Sequence, residues 1–211
     1  MAEHRLFDPA DPPEWLDPEW WRDRPHCDHL ASPTGAHVAR LHAAATLAGR
    51  ATSMADYSGT PYVVDLGAGD GALLSLLPEP LRSSSYGYDA IKADAAYAVR
   101  IRNVEVHLRN VAKAFDREHF TLPLGPVVVL TEVLEHMADP HGFLAKLHAR
   151  PEVRYVVASS PYTETPDKHE WNHAWAWDVD GYRTMFAEAG FGARQFYLIE
   201  WSQLYVFEAV R

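Results

Sequence analysis

Tyr62-Val63-Val64-Asp65-Leu66-Gly67-Ala68-Gly69-Asp70-Gly71 decides the fold. A short apolar run with two valines stops abruptly in glycines, the pattern of a buried parallel strand. Ala72 to Leu77 reads as the helix that follows, halted by Pro78 and Pro80. The alternation then repeats. Ser85–Asp89, Val104–Leu108, Val127–Leu130 and Tyr155–Ala158 read as strands. Residues 91–101, 140–149 and 180–189 read as helices, the last ended by Gly190. The tail alternates over 194–200 and 203–209, which suits an antiparallel pair. Upstream, residues 34–49 form a predicted helix with Ser32 or Thr34 as cap and an apolar side through Ala36, Leu41, Ala44 and Leu47. The expected fold is α/β: a Rossmann-like, doubly wound, mostly parallel sheet with an antiparallel C-terminal strand pair.

Residues 1–33 stand apart from this pattern. Pro9, Pro12, Pro13, Pro18, Pro25 and Pro33 forbid a long helix, yet Trp15, Trp20 and Trp21 are too apolar for a free tail. The segment reads as an arm packed on the domain of residues 34–211, or as a cap whose aromatic rings close a ligand pocket.

Composition narrows the partners. The 211 residues fit one domain, and a 47% hydrophobic content is enough for a core. A formal net charge of -10 disfavours a nucleic-acid partner. The single cysteine, Cys27, rules out a disulfide within the chain and a cysteine-rich zinc site. The N-terminus lacks a signal-peptide pattern and no apolar run is long enough for a membrane span, so a cytoplasmic protein is expected.

Ligands of such sheets bind at the carboxyl ends of the strands. The glycine loop lies at one of these ends and fits two ligand types. Gly67, Gly69 and Ala72 match the spacing of dinucleotide-binding loops. Asp65 and Asp70 would repel a pyrophosphate, but they suit a ligand with an amino group or a sulfonium. Asp89, ending the next strand, is placed to accept both hydroxyls of a ribose, and Asn110 is placed to meet an adenine edge.

The run Val63–Gly71, Asp89 and the segment Thr131–Pro140 together resemble the class I S-adenosylmethionine methyltransferases. The likeness is greatest to the ubiquinone-biosynthesis branch and covers about residues 60–210. It implies the class I methyltransferase architecture, S-adenosylmethionine as cofactor, and methyl transfer to a small-molecule acceptor, at oxygen. Carried over, the cofactor residues are Asp65, Gly67, Ala68, Gly69, Gly71, Asp89, Ala90, Asn110, Val111 and Thr131. The family more often has Asp where Asn110 stands, and Asn keeps an acceptor for the adenine amine.

Glu132, Glu135 and His136 follow the fourth strand, and on a helix their spacing would share one face. With His173 or His169 from the stretch after the fifth strand, they offer a ligand set for Mg²⁺ or Mn²⁺. The set is similar to one in small-RNA 2′-O-methyltransferases, where a later histidine precedes an aromatic cluster as His173 precedes Trp175 and Trp177. Alternatively Glu132, His136 and His173 act directly in catalysis, a histidine as general base. Trp171, Trp175, Trp177, Tyr162 and the N-terminal tryptophans are candidates for an aromatic acceptor pocket. An RNA 2′-O-methyltransferase, a non-catalytic cofactor-binding module and a nicotinamide-dependent oxidoreductase are the competing functions.

Overall fold

The computed structural model describes residues 3–31, 35–55, 58–115 and 122–211. Its main sheet contains β2 (Val63–Leu66), β3 (Tyr86–Asp89), β4 (Glu105–Leu108), β5 (Val127–Thr131), β6 (Tyr155–Pro161), β8 (Phe191–Ile199) and β9 (Ser202–Ala209). Their spatial order is β4-β3-β2-β5-β6-β9-β8. The strands from β4 to β6 are parallel, and β9 runs antiparallel to both β6 and β8. The chain winds outward from β2 to β4, then returns to the other side of β2 as β5. The switch point therefore lies between the carboxyl ends of β2 and β5.

The period of two along each strand sorts side chains into two layers. Val64, Leu66, Val128, Leu130, Val156, Tyr205 and Phe207 face one core. It is filled by α7 (Pro140–His148) and α8 (Val179–Glu188) through Phe143, Leu144, Leu147, Tyr182 and Phe186. Val63, Val127, Val129, Val157, Leu204 and Val206 face the other, under α2 (Gly35–Met54) and α3 (Ala72–Ser75). Both long C-terminal helices start on aspartates: Asp139 accepts from the Gly142 N–H at 2.8 Å and Asp178 from the Gly181 N–H at 2.7 Å.

Several elements depart from the sequence expectation. The segment 91–101 is not one α-helix: α5 (Lys92–Tyr97) widens into a π turn over Ala98–Arg102 that ends at Asn103 in the left-handed region. Short helices α4 (Leu81–Ser84) and α6 (Val111–Phe115) were not anticipated. The proposed helix caps Ser32 and Thr34, and the domain boundary at 33/34, lie outside the described residues.

The arm has structure of its own. Its strand β1 (Glu3–Arg5) pairs antiparallel with β7 (Trp175–Trp177), forming a separate two-stranded sheet. A short helix α1 (Pro18–Arg22) follows, started by Asp17, and Trp15 is buried in the main core. No helix among the described residues is long and apolar enough to cross a membrane.

Candidate functional site

A cavity of roughly 830 Å³ opens at the carboxyl ends of β2, β3 and β5. Of the sequence-predicted residues, Asp65, Gly67, Ala68, Gly69, Asp89, Ala90, Asn110, Val111, Thr131, Glu132, His136 and His173 line it. Its volume is near the top of the about 300–1,000 Å³ typical of ligand pockets, leaving room beside a cofactor for a modest second molecule.

The glycine loop and the end of β3 are tied together. The N–H groups of Gly67 and Ala68 donate to the Tyr88 carbonyl, and the Gly69 N–H donates to Asp89 Oδ2 at 2.7 Å. The Ile91 N–H meets Asp89 Oδ1 at 2.7 Å. Each carboxylate oxygen keeps a further lone pair for a ligand hydroxyl. Burial pushes the Asp89 carboxyl up to about 6 despite these donors. Asp65 is fully buried with Oδ1 unpartnered, and burial together with the neighbouring Asp89 charge pushes it up to about 7. An unpartnered carboxylate oxygen in a cavity is what a ligand ammonium or sulfonium requires, and S-adenosylmethionine carries both.

Other loop residues have different roles. Gly71 is not among the lining residues. A side chain there would meet Val104 at 2.5 Å and Ala98 at 2.9 Å, so this glycine lets the loop pack on the turn before β4. Asp70 is likewise already matched. It accepts from His29 Nδ1 at 2.9 Å, from Arg102 Nε at 3.0 Å and from the Ala72 N–H at 3.2 Å. Burial would raise its carboxyl, but the bonds from His29 and Arg102 outweigh it and hold it at about 2. Asn110 Oδ1 accepts the Lys113 N–H at 2.9 Å and so starts α6, which leaves its amide NH₂ as the unengaged end.

The expectation that Glu132, Glu135 and His136 share a helix face is not met. Glu132 adopts φ 56°, and only a single 3₁₀ turn, Leu134–His136, follows it. Glu132 Oε1 therefore points to Ser159 Oγ at 2.7 Å, Ser202 Oγ at 3.1 Å and Arg40 Nε at 3.7 Å. It falls outside the group whose ligand-capable atoms converge. That group is Glu135, His136 and His173, with atoms within 4.8 Å of one another.

Glu135 is completely buried, both its oxygens are unpartnered, and burial plus the nearby Glu132 charge raises its carboxyl well above the usual range. His136 is pushed down to about 4 by burial and by His173 beside it. Its Nδ1–H donates to the Asn172 carbonyl at 2.9 Å, and His173 Nδ1 meets Glu164 Oε2 at 2.7 Å.

Remote elements supply residues the sequence reading missed. Arg40 and His37 reach the cavity from α2, and Trp201 from the turn between β8 and β9. Arg40 is 3% exposed, with Nε unpaired in hydrogen-bond terms beside Glu132. A lone arginine in the alanine-rich run His37–Ala45 was the available signal. His37 is held down at about 4 by burial, Arg40 and His29.

The expected aromatic pocket is smaller than anticipated. Trp175 and Trp177 are buried in the core, stacked on each other in β7, with the Trp175 indole N–H given to the Met137 carbonyl at 3.0 Å. Tyr162 donates to the Glu200 carbonyl at 2.8 Å. Of the N-terminal tryptophans, Trp21 lines the cavity, edge-on to His136 at 5.3 Å. Trp171 is 63% exposed and packs on Trp20.

Comparison with known proteins agrees with this geometry. A family model described as a methyltransferase domain matches residues 35–191. A search of curated protein sequences finds no match. Among solved structures, the chain is similar to a putative methyltransferase from Haloferax volcanii in complex with the Trm112 methyltransferase activator. The TM-score is 0.57 and the identity 18%, over 82% of this chain and 91% of the other. It is also similar to magnesium protoporphyrin IX methyltransferase from Synechocystis PCC 6803 with bound SAM, at TM-score 0.55 and 15% identity, covering 82% and 80%. An O-methyltransferase from neocarzinostatin biosynthesis, in complex with SAM and 2-hydroxy-5-methyl naphthoic acid, matches at TM-score 0.55 and 22% identity, covering 79% of this chain and 56% of the other. With a sheet of mostly parallel strands, its antiparallel C-terminal pair and the family match over most of its length, the chain belongs to the methyltransferase-domain family and is a class I S-adenosylmethionine-dependent methyltransferase.

Proposed function

We propose that this enzyme transfers its methyl group to a hydroxyl of a small-molecule acceptor. S-adenosylmethionine, when bound, supplies an already activated methyl group, so the protein's task is positioning and handling one proton. Asp65 would take the methionine ammonium, Asp89 the ribose hydroxyls and the Asn110 amide an adenine edge, with Gly67, Ala68, Gly69, Ala90, Val111 and Thr131 around them. Residues 1–33 act as a cap on the acceptor side. The reading is carried by one observation: His136, with Nδ1 committed to a carbonyl, lines the same cavity as the glycine loop and lies under Trp21. The small molecules that two structural neighbours are named for or hold beside SAM, magnesium protoporphyrin IX and 2-hydroxy-5-methyl naphthoic acid, support this acceptor class, and the net charge of -10 weighs against RNA. The single cysteine fits the reducing cytoplasm.

Glu135 favours a divalent cation, Mg²⁺ or Mn²⁺, as a further part of this site. Its two buried, unpartnered oxygens face a cluster that is otherwise made of acceptors. Such an ion would lower the pKa of the acceptor hydroxyl and orient it. A histidine held near 4 is a poor proton acceptor at neutral pH but a ready ligand, so His136 suits this role better than that of a free general base.

The test is transfer of labelled methyl to a metabolite pool and, in parallel, to short RNAs, with and without chelator. Labelling of small molecules that stops with chelator and returns with Mn²⁺ is expected. Label entering only RNA would overturn the acceptor class. Transfer indifferent to chelator would overturn the cation.

A further inference from the structure

The residues between β6 and β7 form a closed loop rather than a slack connection. Thr165 and Lys168 exchange backbone hydrogen bonds at 2.9 and 3.0 Å, and the His173 N–H returns to the Glu170 carbonyl at 3.1 Å. Glu164 sits at the centre of this loop with its side chain 10% exposed. Its Oε1 accepts the Glu170 N–H at 3.0 Å, and its Oε2 meets His173 Nδ1 at 2.7 Å. Both Glu164 and His173 line the cavity.

We propose that Glu164 is a positioning residue that fixes the tautomer of His173. A carboxylate accepts and never donates when ionised, so the nitrogen it meets must carry the proton. His173 is thereby left with Nε2 as its lone-pair nitrogen. The same loop does this twice. The Asn172 carbonyl, also acceptor-only, takes the Nδ1–H of His136, so His136 too keeps its lone pair on Nε2. The two rings are 4.8 Å apart, beside the unpartnered carboxylate of Glu135. One loop thus sets which nitrogen of each histidine is free to accept a proton, a hydroxyl or a cation. The proposal rests on the reading that these histidines face the acceptor.

Glu164→Gln makes a sharp test. The variant has one acceptor atom where the wild type has two. Where the Glu170 N–H, which is solvent-exposed, keeps its bond to the side-chain oxygen, the amide NH₂ must face His173 Nδ1, which is compatible only with a ring protonated at Nε2. Long-range ¹H–¹⁵N spectra of the imidazole rings, recorded on the full chain at pH 8.5, read this directly. Both histidines are expected as the Nδ1–H form in the wild type. In the variant His173 is expected to change to Nε2–H while His136 does not. With an acceptor in hand, kcat should fall about 10–100-fold, the usual effect of removing a group that orients a ligand, with KM for the cofactor within about twofold. Glu164→Asp, which keeps a carboxylate, should recover part of the Nδ1–H form.

A wild-type His173 already protonated at Nε2 overturns the proposal, as does a His173 that stays in the Nδ1–H form in Glu164→Ala, which offers no acceptor. The wild-type spectrum decides even if a variant fails to fold. If the tautomer changes but no acceptor is ever methylated by the wild type, the positioning role stands and the proposed function fails.

Discussion

Replacing Asp65 by Asn should stabilise the empty protein above neutral pH while weakening its hold on the cofactor. Asp65 is fully buried, and its carboxyl is raised from 3.8 to about 7 by burial and by Asp89. Between those two pH values the folded protein holds a proton that the unfolded chain has released. Stability therefore falls as pH rises through 7, by about 4 kcal/mol when the two pKa values are compared. An amide removes this dependence but adds a buried polar group costing about 1–3 kcal/mol if unmatched. The net gain at pH 8.5 is then about 2 kcal/mol, or roughly 4–8 °C in Tm for a chain of this size. At pH 5, where the wild-type side chain is already neutral, the gain should disappear. Binding moves the other way: loss of a charge-assisted bond to the ligand ammonium costs about 1.5–3 kcal/mol, or roughly 10–100-fold in Kd. Calorimetric melting at the two pH values and titration with S-adenosylhomocysteine measure both effects. A variant with the wild-type pH dependence of Tm, or with unchanged affinity, would refute the assignment of Asp65 as a buried carboxylate awaiting a cation.

Two further substitutions probe the loop and its attachment. Gly69→Val places a Cβ 2.9 Å from His29 Cε1 at a backbone φ of +53°, so it should displace the arm and weaken cofactor binding by more than tenfold. Limited proteolysis should then cut near residues 26–31, and an intact arm with normal affinity would contradict this. Arg102→Met removes the guanidinium from a fully buried Asp70 and should cost about 3–5 kcal/mol, read from urea unfolding at pH 7. The loss should shrink as pH drops toward about 2, where Asp70 takes up its proton.

Local chemistry was legible in the sequence, and long-range matching was not. The strands β2, β5 and β6 and the glycine loop announce themselves because their residues carry the signal within five to ten positions. By contrast, β1 is Glu3-His4-Arg5, polar and on the exposed side of its pairing, and becomes a strand only by pairing with residues 175–177. The Glu132–His136 stretch has a helical period, but Glu132 adopts a positive φ, and tertiary bonds to Ser159, Ser202 and Arg40 accompany it. Arg40, His37, Trp201 and Glu164 enter the cavity from places that no local pattern connects with the loop. The expected single helix over 91–101 becomes an α turn followed by a π turn, because one extra residue per turn over Ala98–Arg102 leaves no local mark in an alanine-rich run.

The arm is fastened at both banks of the cleft. β1 holds it to β7 near the histidines, and Asp28 and His29 hold it to Arg102 and Asp70 on the cofactor side. A bridge anchored twice does not swing freely; one abutment must let go before the span can lift.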